Sequence, residues 1–160
     1  MGSALTIVGA GLTLTNDDAR MLGLGILATR PTAALPQTTT QAIFTVTGRC
    51  MLMQILGEVT TVIQTQANNL SLEANPTATG SSVALCAVRN ISADAVATLY
   101  GITGTAANAL VAGLAILGQA TPVIVQAGTI DLVASASNTG AVKWNVYYMP
   151  LDVGASIVAA

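Results

Sequence analysis

The side chains that most often perform chemistry in proteins are scarce in this chain. Its 160 residues include no histidine, which excludes Ser-His and Cys-His nucleophile pairs, histidine-ligated metals and the usual general base near neutral pH. Cys50 and Cys86 both lie within apolar stretches, which predicts two buried thiols and leaves a disulfide as the less favoured alternative. A zinc site would lack further ligands. We therefore expect neither a metal nor a cofactor.

The remaining candidates for acid–base chemistry are the seven carboxylates, which are Asp17, Asp18, Glu58, Glu73, Asp94, Asp131 and Asp152. A glycosidase needs two carboxyl groups about 5 to 10 Å apart in a cleft. Asp17 and Asp18 resemble the acids of a helix start, and Asp131 is expected to pair with Lys143 across a hairpin. Because no second polar cluster accompanies these acids, the sequence predicts no catalytic residue and a protein that is not an enzyme.

The composition indicates that much of the surface is buried against other protein. Hydrophobic residues make up 52% of the chain and charged residues 8%, against about 25% charged in an ordinary soluble domain. The five basic residues are scattered singly, which argues against a nucleic-acid partner. The most apolar stretch, residues 106–125, is interrupted by Gly118 and Pro122 and has no flanking basic residue, which argues against a membrane span. We expect an obligate oligomer or a subunit of a larger assembly.

Two runs of alternating apolar residues near the end of the chain predict the elements that form the core. Ile130, Leu132 and Ala134 share one face of the first run. The second run places on one face Val142, Trp144, Val146 and Tyr148. The turn-forming residues 137–140 stand between the runs, so the pattern predicts an antiparallel hairpin. Tyr147 points away from its apolar face and is the best candidate for an exposed aromatic side chain.

The rest of the chain predicts a mainly β fold. Short strand-like runs separated by turn residues occupy 41–47, 50–56, 59–66, 70–74, 83–88, 109–116 and 121–125. Eight or nine strands at this spacing predict a β-sandwich of jelly-roll type over residues 40–160. Residues 1–39, with Pro31 and Pro36 near their end, are expected to form an N-terminal arm and an extended linker.

Three stretches resemble the C-terminal half of head decoration, or cement, proteins of tailed bacteriophages. They are Leu99-Tyr-Gly-Ile-Thr-Gly104, Gly128-Thr-Ile-Asp-Leu132 and Lys143-Trp-Asn-Val-Tyr-Tyr-Met-Pro-Leu-Asp-Val-Gly-Ala155. The resemblance covers about residues 95 to 160 and consists of strand and turn patterns, so it transfers no binding residue. It implies a compact, often trimeric β domain that sits on an assembled capsid. Such a protein would be made in the host cytoplasm and end in the virion.

The expected function is therefore non-enzymatic: a homotrimer that binds the major capsid protein from outside and stabilises the shell. The candidate interface residues are apolar and lack an evident partner within the chain, and are Leu5, Ile7, Leu22, Leu24, Ile26, Met51, Met53 and Ile55, with Tyr147 as the exposed aromatic. The alternative is a receptor- or glycan-binding module of a phage tail fibre. In that case Tyr147 or the loop of residues 75–82 would carry recognition.

Overall fold

The computed structural model describes residues 25–78 and 80–160, and over these ranges the chain forms twelve strands and no helix. The strands are β1 (Ile26–Ala34), β2 (Thr40–Thr47), β3 (Cys50–Thr61), β4 (Asn69–Pro76), β5 (Val83–Ala84), β6 (Arg89–Asn90), β7 (Leu99–Gly101), β8 (Val111–Gly113), β9 (Val123–Val125), β10 (Gly128–Ala134), β11 (Ala141–Pro150) and β12 (Ser156–Ala159). The candidate interface residues Leu5, Ile7, Leu22 and Leu24 lie outside the described residues.

The strands form two antiparallel sheets. Sheet A has the order β1-β11-β3-β7-β8, and β9 pairs with the same strand β3. Sheet B has the order β12-β2-β10-β4-β5, and β6 pairs with β4. The prediction of a mainly β protein is confirmed, and the two sheets are consistent with a β-sandwich.

One apolar core joins the two sheets. Sheet A contributes the alternate residues of β11, and sheet B contributes inward side chains such as Phe44, Leu72 and Ile130, all of them fully buried. Trp144 is completely buried at the centre of sheet A, where it stacks on Tyr100 with ring centroids 6.3 Å apart. The faces predicted from the period of two in β10 and β11 are therefore the faces that pack.

The predicted hairpin between β10 and β11 is wrong, because the two strands belong to different sheets. Strand β10 lies in sheet B between β2 and β4, and β11 lies in sheet A between β1 and β3. Asp131 consequently faces Glu73 and Lys143 faces Glu58, so the predicted Asp131–Lys143 pair does not form. Alternation is the same for two strands of one hairpin and for two strands in facing sheets, so it does not tell the two arrangements apart.

Residues 135–140 cross from one sheet to the other and are fixed at both ends. Near sheet B, the Oδ1 atom of Asn68 accepts hydrogen bonds from the backbone N–H groups of Ser135 and Ala136, at 3.1 and 3.2 Å. Near sheet A, the backbone N–H of Leu35 donates to the carbonyl of Gly140 at 3.2 Å. Asn68 is 1% exposed, so a buried side chain holds the crossover in place.

The β structure also begins earlier than predicted. The sequence assigned residues up to 39 to an arm and linker, but Ile26–Ala34 form β1, which pairs with β11. A register shift between Arg30 and Ala33 accommodates Pro31, which has no N–H to donate to a ladder. Proline is tolerated here because β1 is an edge strand. The predicted linker is therefore partly a strand of sheet A.

Candidate docking surface

The outer face of sheet A carries apolar side chains that nothing in the described chain covers. Leu27 on β1 and Tyr147 on β11 are direct neighbours in register, and are 62% and 43% exposed. Met149 and Met51 are also paired, and Met51 is paired in turn with Ile124 of β9, which is 62% exposed. The alternation that buries Trp144 and Cys50 places these residues on the opposite face.

A β-bulge in β3 decides which of the candidate interface residues reach this face. Tyr147 pairs with Gln54 and Tyr148 pairs with Leu52, so Met53 is an extra residue in β3. After the bulge the alternation changes phase, and Ile55 is fully buried in the core instead of lying beside Met51. Ile55 is therefore unsuitable as an interface residue. Ile26 is partly buried and packs against the core, whereas Met51 and Met53 are half-buried.

The loop between β8 and β9 adds two leucines to the exposed apolar area. Leu114 is 78% exposed and Leu117 is 91% exposed. The loop is held against β3, since the backbone N–H of Gln119 donates to Oε1 of Gln54 at 2.7 Å and its side-chain amide donates to the carbonyl of Leu52 at 3.2 Å. These bonds bring the loop next to Gln54, which is itself the register partner of Tyr147.

We define the docking surface as the apolar residues of this face together with the two leucines of the adjoining loop: Leu27, Met51, Leu114, Leu117, Ile124, Tyr147 and Met149. Some of its polar neighbours are hydrogen-bonded within the chain, and others stand opposite a residue of the opposite charge. Oγ1 of Thr29 donates to Oδ1 of Asn145 at 2.8 Å, and Lys143 stands opposite Glu58 in the ladder. A partner that covers this surface therefore removes apolar area from water and meets few unpaired polar groups.

The sequence pointed to Met51 and Tyr147 but missed the two loop leucines. The sequence pattern predicted a strand over residues 109–116. In such a strand, the side chain of Leu114 would point to the opposite face from those of its two neighbours. Only Val111–Gly113 form β8, and an apolar run between Gly113 and Gly118 then continues as a loop. The glycines at both ends of this run were the available signal, because glycine clusters mark loops more often than strands.

Outside the docking surface the groups capable of chemistry serve the fold. Burial raises the pKa of the Cys50 thiol to about 11, with the nearby Asp152 carboxylate adding to the effect, and burial also raises the pKa of Cys86. Both are buried free cysteines, as predicted, and a protonated, inaccessible thiol is a poor nucleophile. The hydroxyl of Tyr100 donates to Asp94 at 2.8 Å, and burial is the main cause that raises the pKa of this tyrosine.

Two further observations concern the part of the chain that the structure describes. It contains no group of three or more histidine, cysteine, aspartate or glutamate residues placed to hold a metal ion. It also contains no helix with the length and apolar character needed to cross a bilayer.

Comparison with protein family models, with curated proteins and with solved structures finds no significant match. The docking surface is therefore the feature from which we infer function.

Proposed function

We propose that the protein is a non-enzymatic structural component of a virion, which binds the outside of a phage capsid and stabilises it as a decoration protein. The observation that supports this proposal is the docking surface, an exposed apolar area on a chain with few charges. Monomeric proteins rarely expose large contiguous apolar patches, and such patches often mark sites where a partner binds. Leu117, which is 91% exposed, is the most exposed side chain of this surface. The sequence resemblance to head decoration proteins supports the same class of function.

The chemistry of the surface specifies its partner. Burial of one leucine, isoleucine or methionine side chain contributes about 1.5–3 kcal/mol. A partner that covers Leu117, Leu114 and Ile124 would gain several such contributions without the cost of desolvating unpaired charges. We therefore infer an apolar, weakly charged area on the major capsid protein as the occupant. Lys143 and Glu58 are register partners with opposite charges, so this face offers little net charge to an acidic or basic partner.

The proposal includes a finer architecture. We infer that the sandwich is of jelly-roll type, that three copies associate, and that residues 1–24 form an arm that reaches a neighbouring subunit. The described chain begins at Gly25, which lies against the ring of Tyr147 and so places the start of β1 beside the docking surface. Light scattering of the full chain is expected to give a mass near three times 16.0 kDa. A monomer would remove the trimer from the proposal.

The experiment that tests docking compares wild type and two variants of the full-length chain. Each form is produced in cells that make the virus particles, and its binding to these particles is measured. Leu117→Asp places a carboxylate at the most exposed point of the docking surface. Val153→Asp is the matched control, because Val153 is 76% exposed but lies in the turn between β11 and β12. On a density gradient, wild type and Val153→Asp should sediment with capsids. The amount of Leu117→Asp in the soluble fraction should be at least tenfold larger than that of wild type.

Two results would contradict the proposal. One is absence of the wild-type chain from purified particles. The other is equal occupancy of Leu117→Asp and wild type, which would show that the capsid is bound elsewhere. Folding of the variants is checked by thermal unfolding, where a substitution at a side chain this exposed should change the free energy of unfolding by no more than about 0.5 kcal/mol.

The tail-fibre alternative rests on one specific observation, the exposed ring of Tyr147. Sugars stack on exposed aromatic rings, but they also need free hydrogen-bonding groups beside the ring. Here Gln54 is bound to Gln119, and Asn145 accepts a hydrogen bond from Thr29. A glycan array separates the two functions: binding to one sugar class that Tyr147→Ala abolishes would favour the alternative over capsid docking.

A further inference from the structure

Arg30 is a buried arginine for which the described chain supplies no partner. It lies on the edge strand β1 directly opposite Trp144, so its side chain points toward the interior of the sandwich. It is 8% exposed, and its Nε atom is enclosed without a hydrogen-bond acceptor. Within residues 25–78 and 80–160, no carboxylate forms an ion pair with it.

An arginine in this position cannot relieve its burial by losing its proton. Burial lowers the pKa of Arg30, but a guanidinium is so strongly basic that it stays charged at neutral pH. A buried charge is favourable only when an opposite charge and hydrogen bonds compensate the loss of water. Oδ1 of Asp152 lies 2.6 Å from Nη2 of Arg49. Oδ2 of Asp131 accepts a hydrogen bond from Asn75, and its buried Oδ1 has no hydrogen-bond partner in the part of the chain that the structure describes. Within the described residues, Arg30 is therefore a largely buried cation with no carboxylate paired to it.

Its position explains how a partner could reach it. β1 and β12 are the first strands of sheets A and B and lie in contact, so β1, the strand that carries Arg30, borders the seam between the two sheets. We propose that Arg30 is the receptor for a carboxylate that another molecule supplies at this seam. Because Nε is enclosed, the donors open to a partner are the two Nη groups at the outer edge of the planar guanidinium, and a carboxylate matches this edge with two parallel hydrogen bonds. This site is independent of the docking surface and of the proposed capsid function.

The first test is the thermal stability of the isolated full-length chain with Arg30→Met, which keeps an unbranched apolar stem and removes the charge. Without the external carboxylate, the variant should melt at or above the wild-type temperature, by up to about 2–4 °C. The control Arg49→Met removes the pair with Asp152 and should not melt above wild type. A decrease of more than about 2 °C for Arg30→Met would overturn the proposal, because it would assign Arg30 a stabilising role inside the chain.

The second test supplies a carboxylate directly. Sodium acetate at 1 M should raise the melting temperature of wild type by about 2–5 °C more than sodium chloride at equal ionic strength. This acetate-specific increment should vanish in Arg30→Met and persist in Arg49→Met. An equal increment in wild type and Arg30→Met would refute carboxylate binding at Arg30.

A third measurement identifies the source of the carboxylate. If a second copy of the chain provides it, Arg30→Met should lower the solution mass or raise the dissociation constant of the oligomer at least tenfold. If a free carboxylate or another protein provides it, the mass should be unchanged while the acetate-specific increment is still lost. Loss of capsid occupancy in Leu117→Asp alongside a normal acetate response would leave this site intact, so the two proposals fail separately.

Discussion

Gly57 in the middle of β3 is the position where the smallest substitution should have a large effect. A Cβ atom on Gly57 would stand 2.8, 2.9 and 3.1 Å from three ring carbons of Trp144. Non-bonded carbons prefer about 3.5–4.0 Å, so the indole would have to move by roughly 0.5–1 Å. Trp144 is completely buried and stacked on Tyr100, so the movement would disturb a close-packed core.

The expected magnitude follows from two opposing effects. Overpacking of a core costs about 1–3 kcal/mol. Replacing glycine by alanine recovers about 0.4–1 kcal/mol, because the unfolded chain loses conformational freedom. Gly57→Ala should therefore lower the free energy of unfolding by about 1–2 kcal/mol. For a chain of this size, that corresponds to a decrease in melting temperature of about 2–8 °C.

The assay is urea denaturation followed by tryptophan fluorescence, since Trp144 is the only tryptophan. Gly118→Ala is the matched control, because a Cβ there would approach only Oε1 of Gln54, at 3.2 Å, on an exposed loop. The control should stay within about 0.5 kcal/mol of wild type. An unchanged unfolding midpoint for Gly57→Ala, with an unchanged slope, would refute the reasoning. Combining Gly57→Ala with Trp144→Phe, monitored by circular dichroism, should cost less than the sum of the two changes.

Two further predictions concern the crossover and the thiols. Asn68→Ala should lower the free energy of unfolding by about 2–4 kcal/mol, because it removes a buried amide that makes three part-buried hydrogen bonds, to the N–H of Ser135 and to the N–H and carbonyl of Ala136. Asn69→Ala, at an exposed position, should cost under about 1 kcal/mol in the same urea titration. Equal losses would contradict the anchoring role of Asn68. The raised pKa values of Cys50, to about 11, and of Cys86 and Tyr100 mean that the folded state retains these protons, so stability should be constant below about pH 9 and fall as the pH rises toward 11. Urea midpoints between pH 7 and 11 test this, and a constant midpoint would contradict it.

The predictions at the docking surface and at Arg30 depend on different physics. Docking depends on apolar area, so occupancy should be insensitive to salt. Carboxylate binding at Arg30 depends on a charge, although its burial reduces screening by salt. The response to ionic strength therefore offers a second way to separate the two sites in one protein.

The sequence by itself determined the class of the fold and the faces of its strands. The alternation in β10 and β11 predicted which side of each strand is buried, and the structure places Ile130, Leu132, Trp144 and Val146 in the core. The burial of both cysteines was also predictable. These features are local, because successive side chains in a strand point to opposite sides and the apolar side must be covered.

The tertiary structure decided which strands are neighbours. Nothing in the alternation separates a hairpin from a crossover between facing sheets. Here the crossover is held by Asn68, which lies far from residues 135 and 136 in the sequence. The bulge at Met53 likewise arises from pairing with β11, and it moved Ile55 from the predicted surface into the core. The position of Arg30 opposite Trp144 likewise depends on the pairing of β1 with β11, which are far apart in the sequence. The period and composition of a strand specify which of its faces is buried. Which strands lie beside it and opposite it depends on contacts between residues that are distant in the sequence.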